Sequence, residues 1–182
     1  KDFTMIEIQI EQAKDYSAVE SLVQNAFVDV EFSDHQEHLL VKRLRKSAAF
    51  IPELALVAKI EDEIVGYILY SKIKIINDNQ EYKVLAVAPL AVLPKKQKQG
   101  IGSALMRYSI EYAKTKLDYP AIIILGHPEY YQKFGFVAAS KYAISAPFEV
   151  PDEAFMVLEL TDGSLRQISG VVNYPQEFWE GE

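Results

Sequence analysis

The 182-residue sequence contains no cysteine. That excludes a disulfide framework, a thiolate nucleophile and a Cys-ligated zinc site. Histidine is scarce, with 3 in the chain. Its densest grouping, His35-Gln36-Glu37-His38, does not have the H-E-x-x-H spacing and has no evident third ligand, so no metal is expected. Positive charge is in deficit: 19 Lys and Arg stand against 26 Asp and Glu, a net charge of −7. That balance argues against bulk nucleic-acid binding. No apolar run approaches the roughly 18–20 residues of a membrane helix. Lys1–Asp15 alternates and lacks the apolar core of a signal peptide. A soluble, cytoplasmic protein is the expectation, with Met5 a candidate start and Lys1–Thr4 a remnant of something longer.

What is present is an ordinary globular balance, 49% hydrophobic and 25% charged, enough for a sizeable core. Ile6, Ile8 and Ile10 alternate as in a half-buried strand. Val19, Leu22, Val23, Ala26 and Phe27 fall on one stripe of a helix over Asp15–Phe27, with Ser17 and Glu20 as a capping box or Asp15 as N-cap. Ser33 with Gln36 predicts the start of a second helix, Asp34–Ser47, with Leu39, Leu40 and Leu44 inward. Leu54–Ile60 and Glu63–Ile76 read as a hairpin, followed by a turn at Asn77–Gln80 and a strand Tyr82–Val92. Ile101, Leu105, Tyr108 and Tyr112 then mark a helix over Gly100–Lys116, and Ala121–Leu125 a buried parallel strand. A short helix, Glu129–Phe134, has Pro128 before it and Gly135 after it. Tyr142–Ala146 and Ala154–Leu160 read as further strands. The tail, 161–182, carries enough apolar side chains to pack on the domain formed by residues 5–160.

The chemistry concentrates in Gln97-Lys98-Gln99-Gly100-Ile101-Gly102, a Q-x-x-G-x-G loop between a strand and a helix. A helix start offers unpaired N–H groups and the positive end of a dipole, which together bind phosphate. Glycine lets backbone approach a ligand and take positive φ. Lys95, Lys96 and Lys98 set three cations beside the glycines of an acidic chain. The bland alternative is a solvated turn that merely caps the helix.

Three stretches together resemble the GNAT (GCN5-related N-acetyltransferase) superfamily: Pro89–Pro94, Gln97–Gly102 followed by Ser103-Ala104-Leu105, and Tyr131-Gln132-Lys133-Phe134-Gly135-Phe136. LGHPEYYQKFGF is similar to a bacterial subfamily of uncharacterised predicted acetyltransferases. The resemblance implies a mixed α/β (α+β) fold. It has a mostly antiparallel sheet of about seven strands flanked by about four helices, strands four and five being parallel and splayed. It implies acetyl-CoA as cosubstrate, with Leu90, Ala91 and Val92 pairing with the pantetheine arm. The pyrophosphate then falls to Gln97, Lys98, Gln99, Gly100, Ile101, Gly102 and Ser103, and Tyr131 becomes the general acid facing sulfur. The implied reaction is direct acetyl transfer to a primary amine, small molecule or peptide. The family's frequent asparagine, seven residues before that tyrosine, is Ile124 here.

Direct transfer needs no cysteine. It needs a neutral amine, a polarised carbonyl and a stabilised leaving thiolate. The base is not legible, because Val84–Val92 carries no carboxylate. Glu31, His35, Glu37 and His38 near the first two helices read as solvated residues, and His127 as an N-cap or surface group. The missing carboxylate keeps a second reading open, a non-catalytic acyl-CoA sensor or interaction protein. A nucleotide-binding protein is disfavoured by the lack of G-K-[ST] after the glycines. Tyr174, Phe178 and Trp179 could cover the sheet, close an acceptor site or make a homodimer.

Overall fold

The computed structural model describes residues 5–31 and 33–180; Lys1–Thr4, the candidate remnant, lie outside them. The chain forms two compact units, and the strands β3 (Glu63–Asn77) and β4 (Gln80–Val92) each contribute to both.

The first unit takes the chain up to Tyr70 together with Ala88–Ser109. It contains β1 (Glu7–Ile10), α1 (Tyr16–Ala26), α2 (Glu37–Arg45), β2 (Phe50–Ile60) and the start of α3 (Ile101–Lys116). The strand order is β1-β2-β3-β4, with Glu7 opposite Lys59 and Ile10 opposite Leu56 in an antiparallel pair. Val19, Leu22 and Val23 of α1 and Val41 and Leu44 of α2 are buried, the stripe a 3.6-residue period requires. Helix α3 lies so close to β3 that a Cβ on Gly66 would sit 2.7 Å from Ile101 and 3.1 Å from Leu105. Tyr70 and Ser109 share a buried 2.8 Å hydrogen bond across the same contact.

A buried ionic cluster ties this unit together. Arg45 donates to Glu11 and to Glu20, both at 2.6 Å, and its guanidinium stacks 3.9 Å from the Tyr16 ring centroid. The Tyr67 hydroxyl donates to Glu11 at 3.0 Å. The Arg45 and Glu11 side chains are 6% and 1% exposed, so each charge depends on the other for the solvation it has lost.

The second unit takes Ser71–Val87 and the chain from Ile110. It adds β5 (Ala121–Leu125), α4 (Pro128–Tyr131), β6 (Val137–Ala138), β7 (Ile144–Ser145), β8 (Phe155–Glu159) and β9 (Gly170–Asn173). Its strand order is β7-β9-β3-β4-β5-β8-β6. β4 and β5 are parallel, Leu85 lying opposite Ile122, while β5 and β8 are antiparallel. A helical turn at Ala139–Tyr142 links β6 to β7, the two ends of this order. The sheet therefore bends around one core that includes Ile73, Ile75, Val84, Ile123, Ile144, Phe155, Val157 and Val172.

The expected mixed fold with parallel β4 and β5 is present, in nine strands among the described residues where about seven were predicted. The surplus comes from the two-residue strand β6 and from β9 in the tail. The predicted strand Tyr142–Ala146 shortens to Ile144–Ser145 because Ala139–Tyr142 turns first. Helix α2 begins at Glu37, not Asp34, with Gln36 at the N-cap position and no side-chain cap bond. Ser33 instead donates to the Glu37 carboxylate and accepts from His35 N–H. Leu39 is exposed, and Val41 takes the inward place assigned to it. Helix α1 begins at Tyr16 with Asp15 as N-cap, and the Asp15 carboxylate accepts from Gln12 N–H one turn earlier. Tyr108 is exposed; Met106, Ser109 and Ala113 complete the buried stripe of α3.

Candidate active site

In the first unit, β4 ends at Leu90–Ala91–Val92, where Ala91 is buried and its two neighbours are half-buried. Pro89 has no N–H to give a neighbouring strand. Leu93 N–H donates to Val65 O of β3 at 2.9 Å, anchoring one side of the strand end. Pro94–Lys96 makes a short helical turn, and the Gln97 side-chain amide reaches back to Val92 O at 3.3 Å.

Two successive devices then turn the chain into α3. Lys98 has φ 65° and Gly100 has φ 85°. The second is a conformation that glycine alone takes without steric cost. Nothing lies within 4 Å of where a Cβ on Gly100 would be. The first intrahelical bond is Ala104 N–H to Gly100 O, at 3.0 Å. The N–H groups of Ile101, Gly102 and Ser103 therefore precede the helical ladder, at the positive end of a sixteen-residue helix. Lys95 lies 3.6 Å from Glu63, both well exposed, so part of the local positive field is already matched.

In the second unit, α4 continues as a turn over Gln132–Phe134 and stops at Gly135, whose φ of 101° makes it a left-handed cap. Tyr131 N–H donates to His127 O at 3.2 Å. The Tyr131 ring meets Tyr130 edge-on at 4.9 Å and Phe136 at 6.0 Å. It also lies flush on Gly126, where a Cβ would come within 2.5 Å of it. Burial, with a smaller contribution from Tyr130, pushes the Tyr131 phenol well above its ordinary pKa. The hydroxyl therefore stays protonated throughout the neutral range.

The remaining candidates separate clearly. His127 is exposed at the N-cap of α4 and makes no side-chain cap bond. Ile124 is buried, so no side-chain amide stands at that point. His35 contacts Phe27 O through Nδ1 at 2.9 Å, and Glu31 is exposed. Glu37 Oε1 and His38 Nδ1 are both buried without a hydrogen-bond partner among the described residues, contrary to their reading as solvated residues. Among the described residues no group of three His, Cys, Asp or Glu could hold a metal ion. No helix there is long and apolar enough to cross a membrane. Gly126 was not singled out from the sequence, although Gly-His-Pro directly before the tyrosine helix was a usable signal.

A glycine-turned helix start after a strand, and a tyrosine on a short Gly-capped helix after a parallel strand, define the acetyltransferase class. A family model described as the acetyltransferase (GNAT) family matches residues 17–136, and the chain belongs to that family. The chain is 27% identical to the Escherichia coli (strain K12) protein named "Uncharacterized N-acetyltransferase YhbS", over 94% of this chain and 97% of that one. A crystal structure of Escherichia coli YhbS in complex with CoA superposes with a TM-score of 0.87 at 24% identity, covering 100% of this chain and 96% of that one. A GNAT family acetyltransferase from Brucella melitensis, in complex with acetyl-CoA, gives 0.78 at 25% identity, covering 97% and 99%.

Proposed function

We propose that this acetyltransferase moves the acetyl group of acetyl-CoA to a primary amine by direct attack. The observation that carries the proposal is Gly100, left-handed and open to approach at the head of α3. It supports Gln97–Ser103 as the pyrophosphate cradle, and the complex of the Brucella relative with acetyl-CoA supports the choice of cosubstrate. Leu90, Ala91 and Val92 then offer strand backbone to the pantetheine arm. Residues 5–160 form the transferase domain in this reading, with the segment from 161 packed on it.

In the reaction a neutral amine nitrogen attacks the thioester carbonyl carbon. The C–N bond forms, the C–S bond breaks, and sulfur leaves with the bonding pair. The amine loses one proton and the thiolate gains one, giving the amide and CoA. A primary alkylamine has a pKa near ~10.4 and a thiol one near ~8.5. Tyr131, raised above an ordinary phenol, is a weaker acid than the thiol it faces in this scheme. Its task is therefore to hold a hydrogen bond to the developing thiolate. The proton that completes the thiol comes from the amine nitrogen, which becomes strongly acidic once it has attacked. This arrangement asks less of a dedicated base, in keeping with a β4 that has no carboxylate beyond Glu81.

The test is thermal unfolding with and without acetyl-CoA, followed by thiol release over a panel of amines. A rise in Tm together with CoA release supports the proposal. A rise in Tm with no release from any amine leaves an acyl-CoA-binding sensor.

A further inference from the structure

The second unit contains an open groove of about 660 Å3 that the reading above does not use. Ile144, Phe148, Pro151 and Phe155 give it an apolar floor, and Glu149 and Asp152 stand among them. No lysine or arginine lines it. The nearby cations Lys141 and Arg166 line a different groove. Asp152 accepts from the Ser140 hydroxyl at 2.8 Å through one carboxylate oxygen. Among the described residues neither Asp152 nor Glu149 forms an ion pair.

The aromatic wall is braced. Phe148 lies nearly parallel to Tyr174 at 6.2 Å and meets Phe155 and Trp179 edge-on, both at 6.3 Å. A half-exposed ring held from three directions presents a fixed face, on which an aliphatic stem or a cation can rest at little cost in ordering. The volume suits a small molecule.

The groove also adjoins the tyrosine through consecutive contacts. Phe155 lies opposite Leu125 in the β5–β8 register, and Gly126 N–H donates to Ala154 O at 3.0 Å. Gly126 is the residue against which the Tyr131 ring packs.

We propose that this groove selects the acceptor: a small aliphatic diamine or polyamine whose stem lies on the Phe148–Phe155 floor and whose second ammonium sits between Glu149 and Asp152. The inference rests on the acetyl-transfer reading. It adds that the amine to be acetylated carries a second positive charge. A monoamine leaves both carboxylates unmatched, and an amino acid of equal length brings a third negative charge to them.

The experiment measures kcat/KM for 1,5-diaminopentane, n-pentylamine and 6-aminohexanoate. The diamine is expected to exceed n-pentylamine by about 10-fold, the sum of two partly exposed ion pairs, with 6-aminohexanoate the poorest. Glu149→Gln and Asp152→Asn each reduce the diamine-to-monoamine ratio by about 3-fold, and high salt reduces it further. KM for acetyl-CoA stays constant in both variants. Equal kcat/KM for the three amines, an unchanged ratio in the variants, or a lysine peptide preferred over the diamine overturns the inference. Titration calorimetry of 1,5-diaminopentane into wild type and Glu149→Gln reads the groove without turnover, and equal affinities overturn it. If acetyl-CoA raises Tm but none of these amines releases CoA, the acceptor inference falls while the donor reading stands. If acetyl-CoA gives no shift in Tm, the donor reading fails on its own account.

Discussion

Gly126→Ala adds one methyl group, and the structure says what that methyl meets. A Cβ at this position would lie 2.5 Å from Tyr131 Cε2, 3.2 Å from Cδ2 and 3.5 Å from Cζ. Non-bonded carbons settle at about 3.5–4.0 Å, so the ring has to retreat by about 1 Å. Tyr130 and Phe136 bracket the ring at 4.9 and 6.0 Å, so it tilts and carries its hydroxyl away. A misplacement of about 1 Å costs on the order of 10²-fold in rate. Overpacking costs about 1–3 kcal/mol of stability. For a chain of this size that lowers Tm by about 2–4 °C per kcal/mol. The assay is thiol release at saturating acetyl-CoA, with KM for acetyl-CoA measured alongside. Tyr131→Phe removes the hydroxyl but keeps the ring, and sets the reference. Gly126→Ala should lose a comparable part of kcat, with little change in KM for acetyl-CoA. The double variant should be no slower than the slower single variant, because both act through one hydroxyl. Wild-type kcat in Gly126→Ala, or losses that multiply in the double variant, would refute the reasoning.

Three further outcomes follow from the same geometry. Saturating wild type with acetyl-CoA at about 100 times Kd should raise Tm by about 5–10 °C, from a linkage of about 2.7 kcal/mol. Gly100→Trp, which forces a bulky side chain into φ 85° and into the open approach, should abolish that shift. The kcat/KM for a primary amine should rise with pH until the amine's own pKa near ~10, without an alkaline loss from Tyr131 below it. A phenol with a raised pKa keeps its proton through that window, so a fall between pH ~8 and ~9 would remove Tyr131 from the sulfur-facing role. Arg45→Met strands the Glu11 and Glu20 charges and should cost about 3–5 kcal/mol in urea unfolding. Adding Glu11→Gln should then cost less than it does alone, which a double-mutant cycle reads directly.

The local structure of the proposed donor loop was legible because its signals are close in sequence. A strand, Pro94, two glycines and a helix stripe occupy consecutive positions, and each signal acts within a few residues. Gly135 was readable as a left-handed cap for the same reason, and its φ of 101° agrees. What was not legible depends on residues far apart in the chain. Arg45 meets Glu11 and Glu20 across 34 and 25 positions, and no spacing rule brings such charges together. The strands β6 and β7 have two residues each, too few to display a period of two; they exist because β8 and β9 supply partners. Tyr108 was counted on the α3 stripe as a large ring three residues after Leu105, but the buried stripe passes through the smaller Ser109 and Ala113, which size alone does not mark. The Gly126–Tyr131 contact joins residues close in sequence, but it shows only once the turn between them has been built.

The strand β9 places a condition on assembly. It pairs with β3 by setting Asn173 against Lys74 and with β7 by setting Gly170 against Ile144. Closing a loop of roughly 100 residues is slow and entropically costly, and nothing local rewards it. Until β9 arrives, the outer edge of β3 in the second unit is an unpaired ladder beside an open apolar core. A nascent or truncated chain in that state is a template for another strand, and aggregation competes with folding. Gly170 makes the late closure narrow: at φ 134°, with Ile76 O only 2.3 Å from where a Cβ would be, it admits no side chain. The glycine that lets β9 dock thus decides whether the chain completes its fold or is lost on the way.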